Sequence, residues 1–400
     1  MAQGVRSILF VAEANSLAHV VRPLVLAKSL NPHDYDIHFA CAPGFEFVLE
    51  DTGFTFHSIQ SMSVQEFIDR LAVGGRLYNY ERLSSYIRED RALIRRVKPD
   101  LVIGDFRLSL SVSAPAENVG YLAICNAHWS PFAKQQFPIP EHPLVDIFGP
   151  RVGQVLFNIG RPVAFRHHLA PLNRHRRENH LPKFASLGAA YTQGDATLFC
   201  DVPGLVPTKG LPDTHHYIGP IVWSPDMPLP DWWHQIEDDR PTIYVTLGST
   251  GQATILPDLI ASVAQLQVNL VIATAGRREL QTLPDRVYCE EYLPGIEAAK
   301  RSALVICNGG SATAYQAISQ GTPVLGIASN MDQFFTMGYI EKFGAGRLLR
   351  AGQANGRLIA SLVREMLAST ILNQKAQALA DEFSRYRAID RFPEIISQWN

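Results

Sequence analysis

The chain lacks the features that would place it in several large classes at once. It has no excess of either charge: 36 Lys and Arg stand against 38 Asp and Glu. No bulk field therefore argues for nucleic acid or an anionic membrane as partner. It has no uninterrupted run of about 18 apolar residues, so no membrane span is expected; peripheral association is left open. Its five cysteines, Cys41, Cys125, Cys200, Cys289 and Cys307, form no CxxC pair, and four sit in or beside apolar runs. That reads as reduced structural thiols in a cytoplasmic protein, without a disulfide frame or a zinc site. The loop after the first apolar run, "AEANSLAH", has no glycine, where a dinucleotide fingerprint would need three. No Asp-x-Asp pair occupies a strand-loop context, so a divalent metal is not expected, and no cofactor is implied.

What is present is a repeated alternation. "SILFVA" precedes the helical "LAHVVRPLVLAKSL", "DIHFACA" precedes "FEFVLEDTG", and "PDLVIGDF" precedes "LSVSAPAENVG". After residue 240 the same order recurs in "TIYVTLGS", "NLVIATA", "RVYCEEYL", "ALVICNGG", "ATAYQAISQ" and "PVLGIAS". Continuously apolar strands alternating with helices predict parallel sheets covered on both faces, here two Rossmann-like α/β domains. The expected division is residues 1–216, a linker over 217–241, a second domain over 242–383, and a final helix over 384–400 returning to the first domain. The linker holds five prolines and three tryptophans, which suits a connector with an aromatic anchor. Residues 129–150 read as an irregular, proline-rich insertion, either a binding mouth or an inert loop.

Ligands of parallel sheets bind at the carboxyl ends of strands, so a cleft between two such domains is the expected site. In "ALVICNGGSAT", Gly309, Gly310 and Ser311 fall where the free N–H groups of a helix start face outward. Glycine lets a phosphate approach them, although the same residues also serve a plain capped turn. Gly248 and Ser249, after "TIYVTL", form a second loop of this kind. In the first half, His19 follows strand one, where a base of suitable pKa would stand, and Asp105 ends "PDLVIGD", where it would orient that base or cap a helix. Glu13 is the rival orienter or base. His128 is a further polar group on the same edge. The bunched arginines of "NRHRREN" read as a solvated helix face without a role.

Taken in order, "LAHVVRPLVLAKSL", "PDLVIGDF", "YIGPIVW", "RPTIYVTLGST", "YLP" and "NGGSAT" through "GTPVLGIASNMDQ" resemble the nucleotide-sugar-dependent glycosyltransferases of the GT-B fold. The branch most similar glycosylates small lipophilic acceptors. The resemblance implies an inverting, metal-independent hexosyl transfer from a UDP- or dTDP-linked sugar to a hydroxylated acceptor, by a monomer or homodimer. Carried over residue by residue, it implies phosphate binding at Gly309, Gly310, Ser311 and Thr313, ribose contact at Gln316, sugar contact at Asp332 and Gln333, and base recognition near Tyr292 and Leu293. It points to His19 as the base, and Trp129 and Phe132 join Glu13 and His128 on the acceptor side. Three departures stand out. Asn308 replaces the family's usual His; Gly295 replaces a usual Gln; and three residues, not two, separate His19 from Pro23. A nucleotide-sugar 2-epimerase and a weakly catalytic auxiliary homologue are the alternatives.

Overall fold

The computed structural model describes residues 5–248, 253–276 and 283–399, which form two compact units. The first comprises residues up to Gln136, His142–Ile221 and Tyr386–Asn400; the second comprises Phe137–Glu141 and Val222–Arg385.

Seven parallel strands build the first unit: β1 (Arg6–Ala12), β2 (Tyr35–Cys41), β3 (Thr55–Ser58), β4 (Leu101–Asp105), β5 (Gly120–Cys125), β6 (Ala196–Phe199) and β7 (His215–Tyr217). Their order is β3-β2-β1-β4-β5-β6-β7. Strand order therefore reverses between β1 and β4, with Ala12 opposite Asp105. That reversal opens the crevice in which open sheets bind ligands. β4 and β6 are buried at every position, as expected of strands covered on both faces. The final helix, Ala388–Gln398, lays Phe392 against Phe10 of β1, and Trp399 closes over Gly120.

The second unit repeats the plan with β8 (Thr242–Thr246), β9 (Asn269–Ala273), β10 (Val287–Glu290), β11 (Leu304–Cys307), β12 (Val324–Ala328) and β13 (Gly346–Arg350). All are parallel, in the order β10-β9-β8-β11-β12-β13, and the reversal lies between β8 and β11. The proline-rich stretch around 217–241 is packed from Val222 onward onto this unit. Trp233 is buried, and Trp232 stacks on Tyr288 and donates to Glu290.

Two expectations are corrected. The insertion is only partly irregular: Pro143, at a helix start where its missing N–H costs nothing, opens a helix over Pro143–Glu178 that bends at Gly149 (φ 74°). The arginine cluster is not wholly solvated: Arg176 is buried, donating to the carbonyls of Pro182 and Ser111 and lying over the Phe184 ring. All five cysteines are free thiols.

Candidate active site

In the first unit, the polar groups gather at the carboxyl ends of β1, β4, β5 and β6. His19 lies in the first turn of the helix Leu17–Lys28 that follows β1. Its Nδ1 is 2.6 Å from Oδ1 of Asp105, the last residue of β4. Asp105 is fully buried; burial pushes its pKa up, but the charges of Arg22 and His19 and their hydrogen bonds outweigh this and hold it below the usual carboxylate range. An ionised Asp105 assigns the proton to Nδ1 and leaves Nε2 as the lone-pair nitrogen. The His19 side chain is 20% exposed, and Nε2 makes no hydrogen bond among the described residues.

Phe106 stacks beneath the imidazole, ring centroids 5.0 Å apart and planes 14° from parallel. It does so with φ at 54°, a left-handed conformation that is costly for a bulky side chain and that gathers at functional sites. Arg22, one turn beyond His19, grips Asp105 through Nε (2.7 Å) and Nη2 (2.6 Å) and reaches Asn126 Oδ1 through Nη1 (2.7 Å). Asn126 in turn donates to Asp201. Arg22, Asn126, Asp201 and Phe106 escaped the sequence reading. The available signal was positional: Asn126 immediately follows β5, Asp201 lies just beyond β6, and Arg22 is at i+3 from His19, one helix face. Arg22 also occupies the additional place between His19 and Pro23.

The remaining first-unit candidates have other side-chain partners. Glu13 enters a buried ion cluster, bonded to Arg107, to the Met62 amide and to Tyr86. His128 is buried, Trp129 packs edge-on to Tyr191, and Phe132 packs edge-on to His215.

In the second unit the two glycine loops become neighbours, because β8 and β11 are paired and Thr246 faces Cys307. Gly309 has φ 80°, and a Cβ there would sit 2.7 Å from Met337, so only glycine fits. Asn308 accepts from the Gly310 amide (3.1 Å), and its Nδ2 lies 3.3 Å from where a Gly248 Cβ would be. Asn308 thus orders its own turn and lies close against the Gly248 loop. The helix Ser311–Ser319 starts without a side-chain cap, so its first-turn N–H groups, including those of Ser311 and Thr313, face the end of β11. Ser249 lies outside the described residues.

Gln316 and Gly295 are coupled. Gln316 donates to the Trp223 carbonyl (2.9 Å), and its Oε1 lies 2.4 Å from where a Cβ on residue 295 would stand. The Gln316 amide therefore fills the space that a side chain at 295 would need. Tyr292 is exposed, whereas Leu293 is buried.

Asp332 is half-buried in the first turn of the helix Met331–Phe343. Gln333 closes a capping box with Asn330, and its Oε1 accepts from the Ser329 amide at 2.8 Å. The same turn is braced from outside: the Glu141 amide donates to the Ser329 carbonyl (2.8 Å), and Arg350 ends β13 by donating to the carbonyls of Ile139 and Pro140, each at 3.0 Å. Sequence reading had no means of pairing residues 139–141 with 350.

One doubly wound domain thus carries a carboxylate-oriented histidine and the other an uncapped glycine-rich helix start, an arrangement that suits a group-transfer enzyme. A family model described as Erythromycin biosynthesis protein CIII-like, C-terminal domain, matches residues 257–388. Over 377 residues the chain is 45% identical to a PGL/p-HBAD biosynthesis glycosyltransferase of Mycobacterium tuberculosis strain H37Ra, covering 94% of this chain and 88% of that one. It is 43% identical over 392 residues to a PGL/p-HBAD biosynthesis rhamnosyltransferase of Mycobacterium bovis strain BCG Pasteur, covering 98% and 87%. An "Inactive PGL/p-HBAD biosynthesis glycosyltransferase" of the same strain is 47% identical over 250 residues, 62% of this chain and 68% of that one. Among solved structures, Spinosyn Rhamnosyltransferase SpnG complexed with spinosyn aglycone superposes with a TM-score of 0.70 at 19% identity, covering 98% of this chain and all (100%) of that one. Glycosyltransferase VinC in complex with dTDP gives 0.69 at 18% identity, covering 98% and 99%.

The chain belongs to the glycosyltransferase family of these mycobacterial enzymes, and its fold is GT-B. It is a glycosyltransferase. The epimerase alternative finds no support among these relatives.

Proposed function

We propose that this glycosyltransferase moves a hexose, with inversion and without a metal, from a UDP- or dTDP-linked donor to a hydroxyl of a small lipophilic acceptor. The observation that carries the reading is the His19–Asp105 pair with Nε2 left open. The acceptor O–H gives its proton to Nε2, its oxygen forms the bond to the anomeric carbon, and the bond from that carbon to the diphosphate oxygen breaks with its electrons going to the leaving group. Asp105 holds the ring in the required tautomer and offsets the imidazolium charge. In the second unit, the N–H groups of the Ser311 helix start and the glycine turn receive the negative charge that develops on the diphosphate. A nucleotide seat there is supported by the bound dTDP named for VinC, and a lipophilic acceptor by the aglycone named for SpnG. A 6-deoxyhexose is favoured by the relative named as a rhamnosyltransferase. The direct test is release of nucleoside diphosphate from dTDP-rhamnose and UDP-hexoses, with and without a panel of hydroxylated lipophilic acceptors. Release that ignores the acceptor would overturn the transfer reading.

Two further outcomes are expected. Asp332 sits on the turn after β12, within reach of the sugar of a diphosphate seated on Gly309 and Gly310. A carboxylate facing sugar hydroxyls contributes about 1.5–3 kcal/mol. Asp332→Ala should weaken the intact donor about tenfold or more while sparing free nucleoside diphosphate in a titration of each. Equal weakening of both would make Asp332 a helix residue only. Chelator should leave the transfer rate unchanged, because helix N–H groups take the role of a cation; strict dependence on added magnesium or manganese would contradict that assignment.

A further inference from the structure

The helix Pro143–Glu178 carries a feature that transfer does not use. From residue 154 to residue 168 no position is buried. Along this stretch and the turn before it, Val152, Val155, Leu156, Ile159 and Val163 are all exposed, Ile159 at 73%. At about 100° per residue, these five fall within an arc of about 100°. The helix's buried residues, Gly153, Leu169, Leu172 and His175, lie on the other side of the wheel. Ile147 and Phe148, just before the bend at Gly149, are exposed as well. A helix that turns a continuous apolar stripe to water needs something to cover it.

The charge of the segment selects the cover. Between residues 147 and 177 there is no Asp or Glu, but six arginines. Arg151, Arg166 and Arg177 are exposed and form no ion pair among the described residues. Arg166 lies on the same helix face, one turn beyond Val163. A second copy of the chain laid along this face would oppose arginine to arginine. An anionic lipid surface instead offers hydrocarbon to the stripe and headgroup charge to its rim, which is the pattern of a helix lying in a membrane interface.

We propose that the exposed face of this helix docks the enzyme on an anionic lipid surface. Docking holds the enzyme at the membrane, where lipophilic acceptors partition, and needs neither donor nor acceptor. The test is flotation of the full-length protein with vesicles of equimolar phosphatidylglycerol and phosphatidylcholine, against phosphatidylcholine alone. The protein should float with the anionic vesicles about tenfold or more better, and less so at high salt. I159Q/V163Q should lose most of this binding. R151Q/R166Q should lose the preference for the anionic vesicles, both with unchanged far-ultraviolet circular dichroism. Failure of wild type to float with either vesicle, or variants that float as wild type does, would overturn the proposal. So would a wild-type dimer in light scattering that I159Q/V163Q dissolves, since that gives the face to a second copy. Because flotation contains no sugar nucleotide, its failure leaves the transfer reading standing, and a failed transfer assay leaves docking standing.

Discussion

His19→Ala should lower kcat by at least about two orders of magnitude, the range that a positioned general base contributes, with donor affinity nearly unchanged. The reason is the division of labour between the units. His19 and Asp105 close the carboxyl ends of β1 and β4, and the glycine turn that would seat the diphosphate belongs to the second unit. Asp105→Asn should lose a comparable factor by a different route. An amide at 2.6 Å from Nδ1 can donate as well as accept, so the proton is no longer held on Nδ1 and Nε2 is no longer reserved as the base. Activity of His19→Ala within a few-fold of wild type would remove His19 from the chemistry. Phe106, stacked under the imidazole at a left-handed φ, is the residue that fixes the ring plane.

Arg107→Met should cost about 3–5 kcal/mol of stability, the magnitude for removing one partner of a buried ion pair. Arg107 is 1% exposed and bonds Glu13 and Asp90, each at 2.9 Å, with its guanidinium 3.9 Å from the Tyr86 ring centroid. Without it, two carboxylates remain buried with no cation between them. Methionine fills most of the volume, so the loss reports charge and not a cavity. The pH dependence has a defined sign. Burial already pushes the Glu13 pKa above the ordinary carboxylate range against the opposing pull of Arg107. A carboxyl whose folded pKa exceeds its unfolded value contributes most below the unfolded pKa, and loses that contribution as pH rises through the folded pKa. Deleting Arg107 raises the folded value further, so the variant should be least stable toward neutral pH and should recover in mild acid. The triple variant E13Q/D90N/R107M should be less destabilised than R107M alone. Urea midpoints of the first unit's transition, measured across pH, decide this. A loss under about 1 kcal/mol, or a triple variant worse than the single, would show that the cluster is not an electrostatic unit.

The parallel sheets were legible because burial on both faces leaves a direct mark on sequence. β1, β4, β8 and β11 each centre on a short run of consecutive apolar residues, the mark of a strand covered on both faces. His19 and Asp105 were legible for a related reason: a polar residue placed where an apolar run stops lies at the carboxyl edge of a sheet. The helix Pro143–Glu178 was hidden by its prolines, at 143, 150, 162 and 171, which a single sequence reads as breaks. Helices tolerate proline at the first turn and at bends, which accounts for Pro143 and for Pro150 beside Gly149.

Local sequence thus determined the repeated strand-and-helix units, the glycine turn at 309 and 310, and the strand-end positions of His19 and Asp105, because each depends on residues only a few places apart. Tertiary structure alone decided which charged groups meet. Arg22 meets Asp105 only because β1 lies beside β4, and it reaches Asn126 only because β5 flanks β4 in turn; Arg107 meets Asp90 and Glu13 only after three separate segments fold together; Glu141 reaches Ser329, and Arg350 reaches Ile139, across about two hundred residues of chain. Such pairings rest on strand order and on the burial that makes an unmatched charge costly, and neither quantity is written in the spacing of residues along one chain.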